Sequence, residues 1–250
     1  MGGFLKILAI DTTAAAASVA LCEDEALRGE FFVNIRQTHS ETLMPMAGSL
    51  LQNCGVSPAE IGLFAVSCGP GSFTGVRIGV AAVKGMALPF GTPCAAVSSL
   101  EALAENLRPV RGLVCSVMDA RRGQFYNALF EAAGGSLRRL CPDRAVDASQ
   151  LEKDLLPAVR EAKNVFLVGD GTEICYNMLS PELAKGVLPA PPNVRFARAS
   201  SVAAVGLRLL REGKTVSAEE LLPYYLRLPQ AERELGAKRA RPAHDEPGGL

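Results

Sequence analysis

The chain has 250 residues, 48% of them apolar and 21% charged, which suits one large domain or two smaller ones and excludes wholesale disorder. Basic and acidic residues balance at 26 each, which argues against a free-standing nucleic-acid binder and against a polybasic membrane anchor. The seven cysteines form no C-x-x-C pair and sit mostly in apolar runs, so they read as buried free thiols of a reducing, cytoplasmic compartment.

The apolar start Ile7-Leu8-Ala9-Ile10 is too short for a signal-peptide core, and no run is expected to span a membrane. Residues 5–10 predict a buried strand ending at Asp11, and Thr12-Thr13-Ala14 a turn. Strands over 17–22 and 26–34 complete an antiparallel meander. Leu43, Met46, Ala47, Leu50, Leu51 and Cys54 recur at helical spacing, predicting a helix over 40–54 that Ser40 caps and Gly55 ends. A strand over 63–68 leads through Gly69-Pro70-Gly71-Ser72 into a helix from Phe73 to about Leu88. A short strand over 95–97 follows, then a helix over 100–106 capped by Ser98-Ser99.

Residues 107–111 are polar and contain Pro109, a candidate boundary between residues 1–109 and 110–229. The pattern then restarts, with strands over 113–118, 124–131 and 137–141 and a helix over 148–162 that Pro157 breaks. A strand over 165–168 runs into Gly169-Asp170-Gly171, with helices over 172–179 and 200–212. Two halves that each open with apolar strand, acid, turn and meander suggest a duplicated fold, with the last helix returning to the first lobe. Residues 230–250 lack periodicity and read as a mobile tail.

Asp11-Thr12-Thr13 suits either a turn whose side chains satisfy local backbone or a phosphate and Mg²⁺ site. Gly69-Pro70-Gly71-Ser72-Phe73-Thr74-Gly75-Val76-Arg77-Ile78-Gly79 is neither a P-loop nor a dinucleotide fingerprint. Its glycines could cradle an anion at the helix start. The preferred reading is close packing: Gly75, Gly79 and Ala82 make a small-residue stripe that a helix of another subunit could approach. Asp119-Ala120-Arg121-Arg122-Gly123 holds two arginines that would bind an anion, pair with a partner's acids or face solvent. Gly169-Asp170-Gly171 reads as a plain turn. The two histidines, His39 and His244, cannot make a multi-histidine metal site, and Ser40 beside His39 reads as a cap rather than a nucleophile.

Together, Ile7 to Thr13, His39 to Pro45, the run Gly69 to Gly79, Ser98 to Leu103, Met118 to Arg122 and Pro223 to Arg227 resemble the TsaB (YeaZ) family over about residues 5–230. The resemblance implies a two-lobed α/β, actin/Hsp70-like (ribonuclease H-like) fold with a degenerate nucleotide site. It implies a non-catalytic dimerisation subunit of the complex that makes N6-threonylcarbamoyladenosine at position 37 of ANN-decoding tRNAs. The expected partners are a TsaD-like transferase and a TsaE-like ATPase, with a homodimer when alone, ATP or ADP at the partner interface, tRNA reached only through the complex, and no membrane. The expected interface, of about 1,600 Å² in total, is Leu43, Met46, Ala47, Leu50, Thr74, Gly75, Arg77, Ile78, Gly79 and Ala82. The expected vestigial nucleotide or anion site is Asp11, Thr12, Gly71, Ser72 and Arg121, with no catalytic residue and no metal ligand. The rival expectations are an ATP-dependent phosphotransferase or ATPase built on Asp11, and a peptidase acting on the partner.

Overall fold

The structure, a computed structural model, describes residues 4–35 and 37–227. The tail expected over 230–250 lies outside the described residues. The first sheet takes strands β1 (Lys6–Asp11), β2 (Ala17–Glu23), β3 (Ala26–Val33), β4 (Leu63–Gly69) and β5 (Cys94–Ser98) in the order β3-β2-β1-β4-β5. β1 and β2 are antiparallel, whereas β4 and β5 join in parallel. The second sheet is built from β6 (Arg111–Asp119), β7 (Gln124–Ala133), β8 (Leu137–Arg139), β10 (Val165–Val168) and β11 (Val187–Pro189) in the order β8-β7-β6-β10-β11, and β9 (Arg144–Asp147) also pairs with β7. The two orders match strand for strand, so the restart seen in the sequence is a structural duplication. Two such mixed sheets with helices on both faces make the two-lobed actin/Hsp70-like architecture.

Alternation along β1 shows why the first sheet is buried on both sides. Leu8 and Ile10 join a cluster with Leu43, Leu50, Val76 and Val80, from α1 (His39–Cys54) and α2 (Phe73–Ala87). Ile7 and Ala9 join another with Val202 and Val205 of α8 (Ala199–Arg211). Such strands read as near-continuous apolar runs because neither face meets water. A Cβ on Gly206 would come within 2.7 Å of Ala65 Cβ, so α8 rests almost directly on the sheet. α3 (Ser99–Glu105) packs Leu100 and Leu103 against Val114 and Met118 of the second sheet. The other face of that sheet carries α4 (Ala148–Arg160), α5 (Thr172–Met178) and α6 (Pro181–Ala184), and α7 (Pro192–Arg195) leads into α8.

Several local expectations need correction. The cap of α1 is Thr38, without a side-chain bond, because Ser40 already lies in the first turn and meets Thr38 Oγ1 at 3.4 Å. Pro157 does not break α4: it sits exposed within the helix, which runs on to Arg160. β9, β11, α6 and α7, each of four residues or fewer, are too short to leave a periodic signal. Gly55 does end α1 in the left-handed region at φ 64°, and Ser98 does cap α3, its hydroxyl accepting from Glu101 N.

Candidate interaction surface and inter-lobe cleft

The glycine-rich run closes onto the Asp11-Thr12-Thr13 turn. Ser72 N donates to Thr13 O at 2.7 Å, and Thr12 Oγ1 donates to Gly75 O at 2.7 Å. A Cβ on Gly71 would lie 2.4 Å from Thr13 O, one on Gly75 2.0 Å from Thr12 O, and one on Gly79 2.5 Å from Thr12 Oγ1. These glycines therefore let α2 approach the end of β1 in the same chain. Close packing is the right reading of the stripe, but its partner is internal. Gly75 and Gly79 are buried, and so are Leu43, Ala47 and Leu50, which belong to the lobe's own core. All five are removed from the expected interface.

The outward faces of α1 and α2 carry a different set. Thr74, Arg77, Ala81 and Gly85 are exposed on α2, with Ile78 and Ala82 half-buried at its flanks; Leu88 and Phe90 extend the patch. On the neighbouring α1, Met44, Pro45, Gly48 and Ser49 are exposed and Met46 is half-buried. Nothing lies within 4 Å of a Cβ built on Gly48 or Gly85, so both open onto free space. Among the described residues, Phe73–Phe90 alone is long and apolar enough to cross a membrane by length and composition, an outcome the sequence reading did not anticipate; its inner residues Val76, Val80 and Val83 are packed in the core. A helix that carries apolar residues outside its core stripe has a second face to cover. The small and apolar residues between Arg77 and Phe90, visible in the sequence, were the available sign of Ala81 and Gly85.

A cavity of about 560 Å³ lies between the lobes, with Gly71, Ser72, Tyr126, Arg121, Asp170, Tyr225 and Arg227 in its wall. Three of the five residues expected at a vestigial site, Gly71, Ser72 and Arg121, thus meet there. Asp11 and Thr12 lie fully buried and outside its lining. Asp11 Oδ1 accepts from Thr13 N and Thr13 Oγ1, both at 3.0 Å. Burial pushes the Asp11 carboxyl up, against the lowering effect of Ser67 and Thr13. Asp11 Oδ2 and Ser67 Oγ are both sealed and without a close hydrogen-bond partner. Arg121 and Arg122 take φ 65° and 58°, and Arg121 N donates to Asp119 Oδ1 at 2.7 Å. The second lobe repeats the closure of the first: a Cβ on Gly169 would lie 2.0 Å from Val117 O. No three His, Cys, Asp or Glu side chains among the described residues gather closely enough to hold a metal ion.

Asp170, missed as a site residue, has its Oδ1 sealed and unpartnered although the residue as a whole is partly exposed. Burial, helped by the charges of Asp119 and Asp11, pushes its carboxyl up to about 6. A carboxyl raised on folding binds more protons in the folded state, so its contribution to stability is lost as pH rises from the unfolded value of 3.8 to about 6. Asp170→Asn should flatten that decline and raise stability at pH 7 by about 1–3 kcal/mol; urea unfolding at pH 4.5 and 7 reads both. An advantage of Asp170→Asn over the wild type that does not grow from pH 4.5 to pH 7 would refute the assignment.

The peptidase expectation finds its candidate side chains occupied. His39 Nε2 sits 2.7 Å from Ala14 O, Ser40 Oγ turns to Thr38, and Ser72 Oγ accepts from Gly75 N at 3.3 Å.

Residues 33–235 match the family model described as TsaD: tRNA N6-adenosine threonylcarbamoyltransferase. The tRNA threonylcarbamoyladenosine biosynthesis protein TsaB of Bacillus subtilis is 34% identical over 229 residues, 91% of this chain and 96% of that protein. TsaB of Escherichia coli is 30% identical over 239 residues, 94% of this chain and 100% of its own length. Among solved structures, YeaZ from Pseudomonas aeruginosa superposes with a TM-score of 0.75 at 28% identity, covering 89% of this chain and 100% of that one. A Pseudomonas aeruginosa protein described as similar to the peptidase YeaZ superposes at 0.76 with the same identity and coverage. With relatives aligned almost end to end and the two-lobed fold shared, the chain belongs to the TsaB (YeaZ) family of tRNA threonylcarbamoyladenosine biosynthesis proteins.

Proposed function

We propose that this chain is the non-catalytic docking subunit of a cytoplasmic complex that forms N6-threonylcarbamoyladenosine on tRNA, supporting a TsaD-like transferase. The observation that carries the reading is the outward face of α1 and α2. Met44, Pro45 and Gly48 are exposed on α1, and Ala81, Gly85, Leu88 and Phe90 on α2 and just beyond it, with open space over both glycines. Exposed apolar patches of this kind mark binding surfaces, and small residues let a second backbone come close. The glycine-rich run supports the same reading, because two donors that a phosphate cradle would use, Ser72 N and Gly75 N, are taken by Thr13 O and Ser72 Oγ.

In this reading a TsaE-like ATPase joins the pair, nucleotide binds where subunits meet, tRNA is contacted through the complex, and the face pairs with a second copy when the transferase is missing. Reconstitution tests it. Neither this chain nor the TsaD-like protein alone should modify an ANN-decoding transcript, whereas the complete mixture should. Sedimentation should show this chain and the TsaD-like protein moving together. Calorimetry of the isolated chain with Mg-ATP should show no micromolar binding. Modification by this chain alone, or ATP turnover lost in Asp11→Ala, would replace the docking reading with an enzymatic one.

A further inference from the structure

After α8 the chain returns along the full length of α2 and then crosses to the other lobe. Val216 pairs with Cys94 at the sheet edge through two backbone hydrogen bonds of 2.9 Å. Leu221, fully buried, plugs the cluster that contains Cys68. Lys84 of α2 donates to the carbonyls of Glu219 and Leu221 at 3.0 and 3.2 Å. Tyr224 N donates to Cys68 O at 2.7 Å, an approach open only because Gly69 has no side chain: a Cβ there would lie 2.2 Å from Tyr224 O. The phenol oxygen of Tyr225 accepts from Arg77 Nε at 2.9 Å. The guanidinium of Arg77 lies 3.8 Å from the centre of the Phe73 ring, and the rings of Phe73 and Tyr225 are 4.9 Å apart. Arg227 then donates to Ala120 O, in the turn after β6 of the second lobe, at 2.8 Å.

We infer that residues 221–227 are a clasp that couples the outer face of α2 to the inter-lobe cleft, with the Arg77–Phe73–Tyr225 stack as its latch. The strap forms part of the wall of two inter-lobe cavities: Tyr225 and Arg227 line one of about 560 Å³, and Leu222 and Tyr224 line another of about 410 Å³ that also reaches Cys68. Arg77 belongs at once to the exposed docking face and to the latch. A protein pressed against α2 excludes water from the Arg77 stack, and a cation–π contact is stronger when desolvated. Docking on α2 therefore tightens the strap over the cleft. This last step rests on the docking reading above; the clasp itself does not.

Cys68 supplies the measurement, because it is 3% exposed beneath the strap while Cys115, deep in the second lobe, is fully buried. Thiol labelling of the full chain, resolved by peptide mass spectrometry, should show Cys68 reacting about tenfold faster in Arg77→Ala and Tyr225→Ala, with Cys115 unchanged. Tyr225→Phe, which keeps the stack and loses the hydrogen bond, should lie between. An unchanged Cys68 rate, or Cys68 and Cys115 rising together, overturns the clasp. Adding the TsaD-like protein should slow Cys68 labelling in the wild type, whereas binding that leaves the rate unchanged overturns the coupling. Failure of the two proteins to sediment together would sink the docking reading and the coupling that rests on it, leaving the clasp to stand on the free-chain result.

Discussion

Gly79→Leu should cost the fold about 3 kcal/mol, a large part of the 5–15 kcal/mol that holds a domain of ordinary stability together. Gly79 faces inward at the crossing of α2 over the end of β1. The first added carbon would already lie 2.5 Å from Thr12 Oγ1, 3.4 Å from Val66 Cγ2 and 3.7 Å from Ile10 Cγ2. The rest of a leucine side chain has no space among residues that are themselves fully buried. Thr12 cannot simply turn away, because its hydroxyl donates to Gly75 O and would be left unpartnered in the core. Leucine is the better helix former by somewhat under 1 kcal/mol, which offsets only part of this. Urea unfolding should show the midpoint shifted down, and Gly79→Ala should lie between leucine and the wild type. A leucine variant as stable as the wild type would mean that α2 does not sit on Thr12 as described.

The same helix shows where the sequence runs out. Strand, acid, turn and meander are legible twice because β1 and β6 are apolar runs ending in Asp11 and Asp119, and the strand orders built on them repeat. The period of α2 is legible too, but not its phase. A helix with small residues on opposite sides offers two stripes, Gly75-Gly79 and Ala81-Gly85, and local spacing ranks neither. What ranks them is a threonine 63 residues earlier, whose hydroxyl meets Gly75 O. On α1 the periodic stripe Leu43-Ala47-Leu50 is the core face, so the residues interrupting it, Met44 and Gly48, carry the outward surface. The strap was illegible for a similar reason: it has no period of its own, and the Arg77–Tyr225 bond joins residues 148 apart. The cleft was half legible. Gly71, Ser72 and Arg121, grouped from the sequence, line it, whereas Asp11 and Thr12 do not and Asp170 was passed over as part of a turn.

Correcting the phase of α2 turns the docking reading into a sharper test, since stability and association now belong to different residues of one helix. Gly85→Leu should leave the isolated chain as stable as the wild type, or slightly more so, and should weaken pairing with the TsaD-like protein at least a hundredfold. The fold has no objection to the side chain: nothing lies within 4 Å of a Cβ at Gly85, and replacing an exposed helical glycine gains somewhat under 1 kcal/mol. The complex does object. On the docking reading, a leucine among Ala81, Ala82 and Leu88 would hold the two surfaces apart where a small residue lets them touch, and losing close packing at a well-packed contact costs about 3 kcal/mol. Gly48→Leu makes the matching test on α1, where a Cβ also meets open space. Sedimentation velocity or calorimetry with the TsaD-like protein reads the affinity, and urea unfolding of the same samples reads the fold. Affinity within threefold of the wild type in both variants would move the docking surface off these helices. Gly79→Leu, by contrast, should lose association only along with the fold, so the two positions, six residues apart on α2, separate a surface from a core.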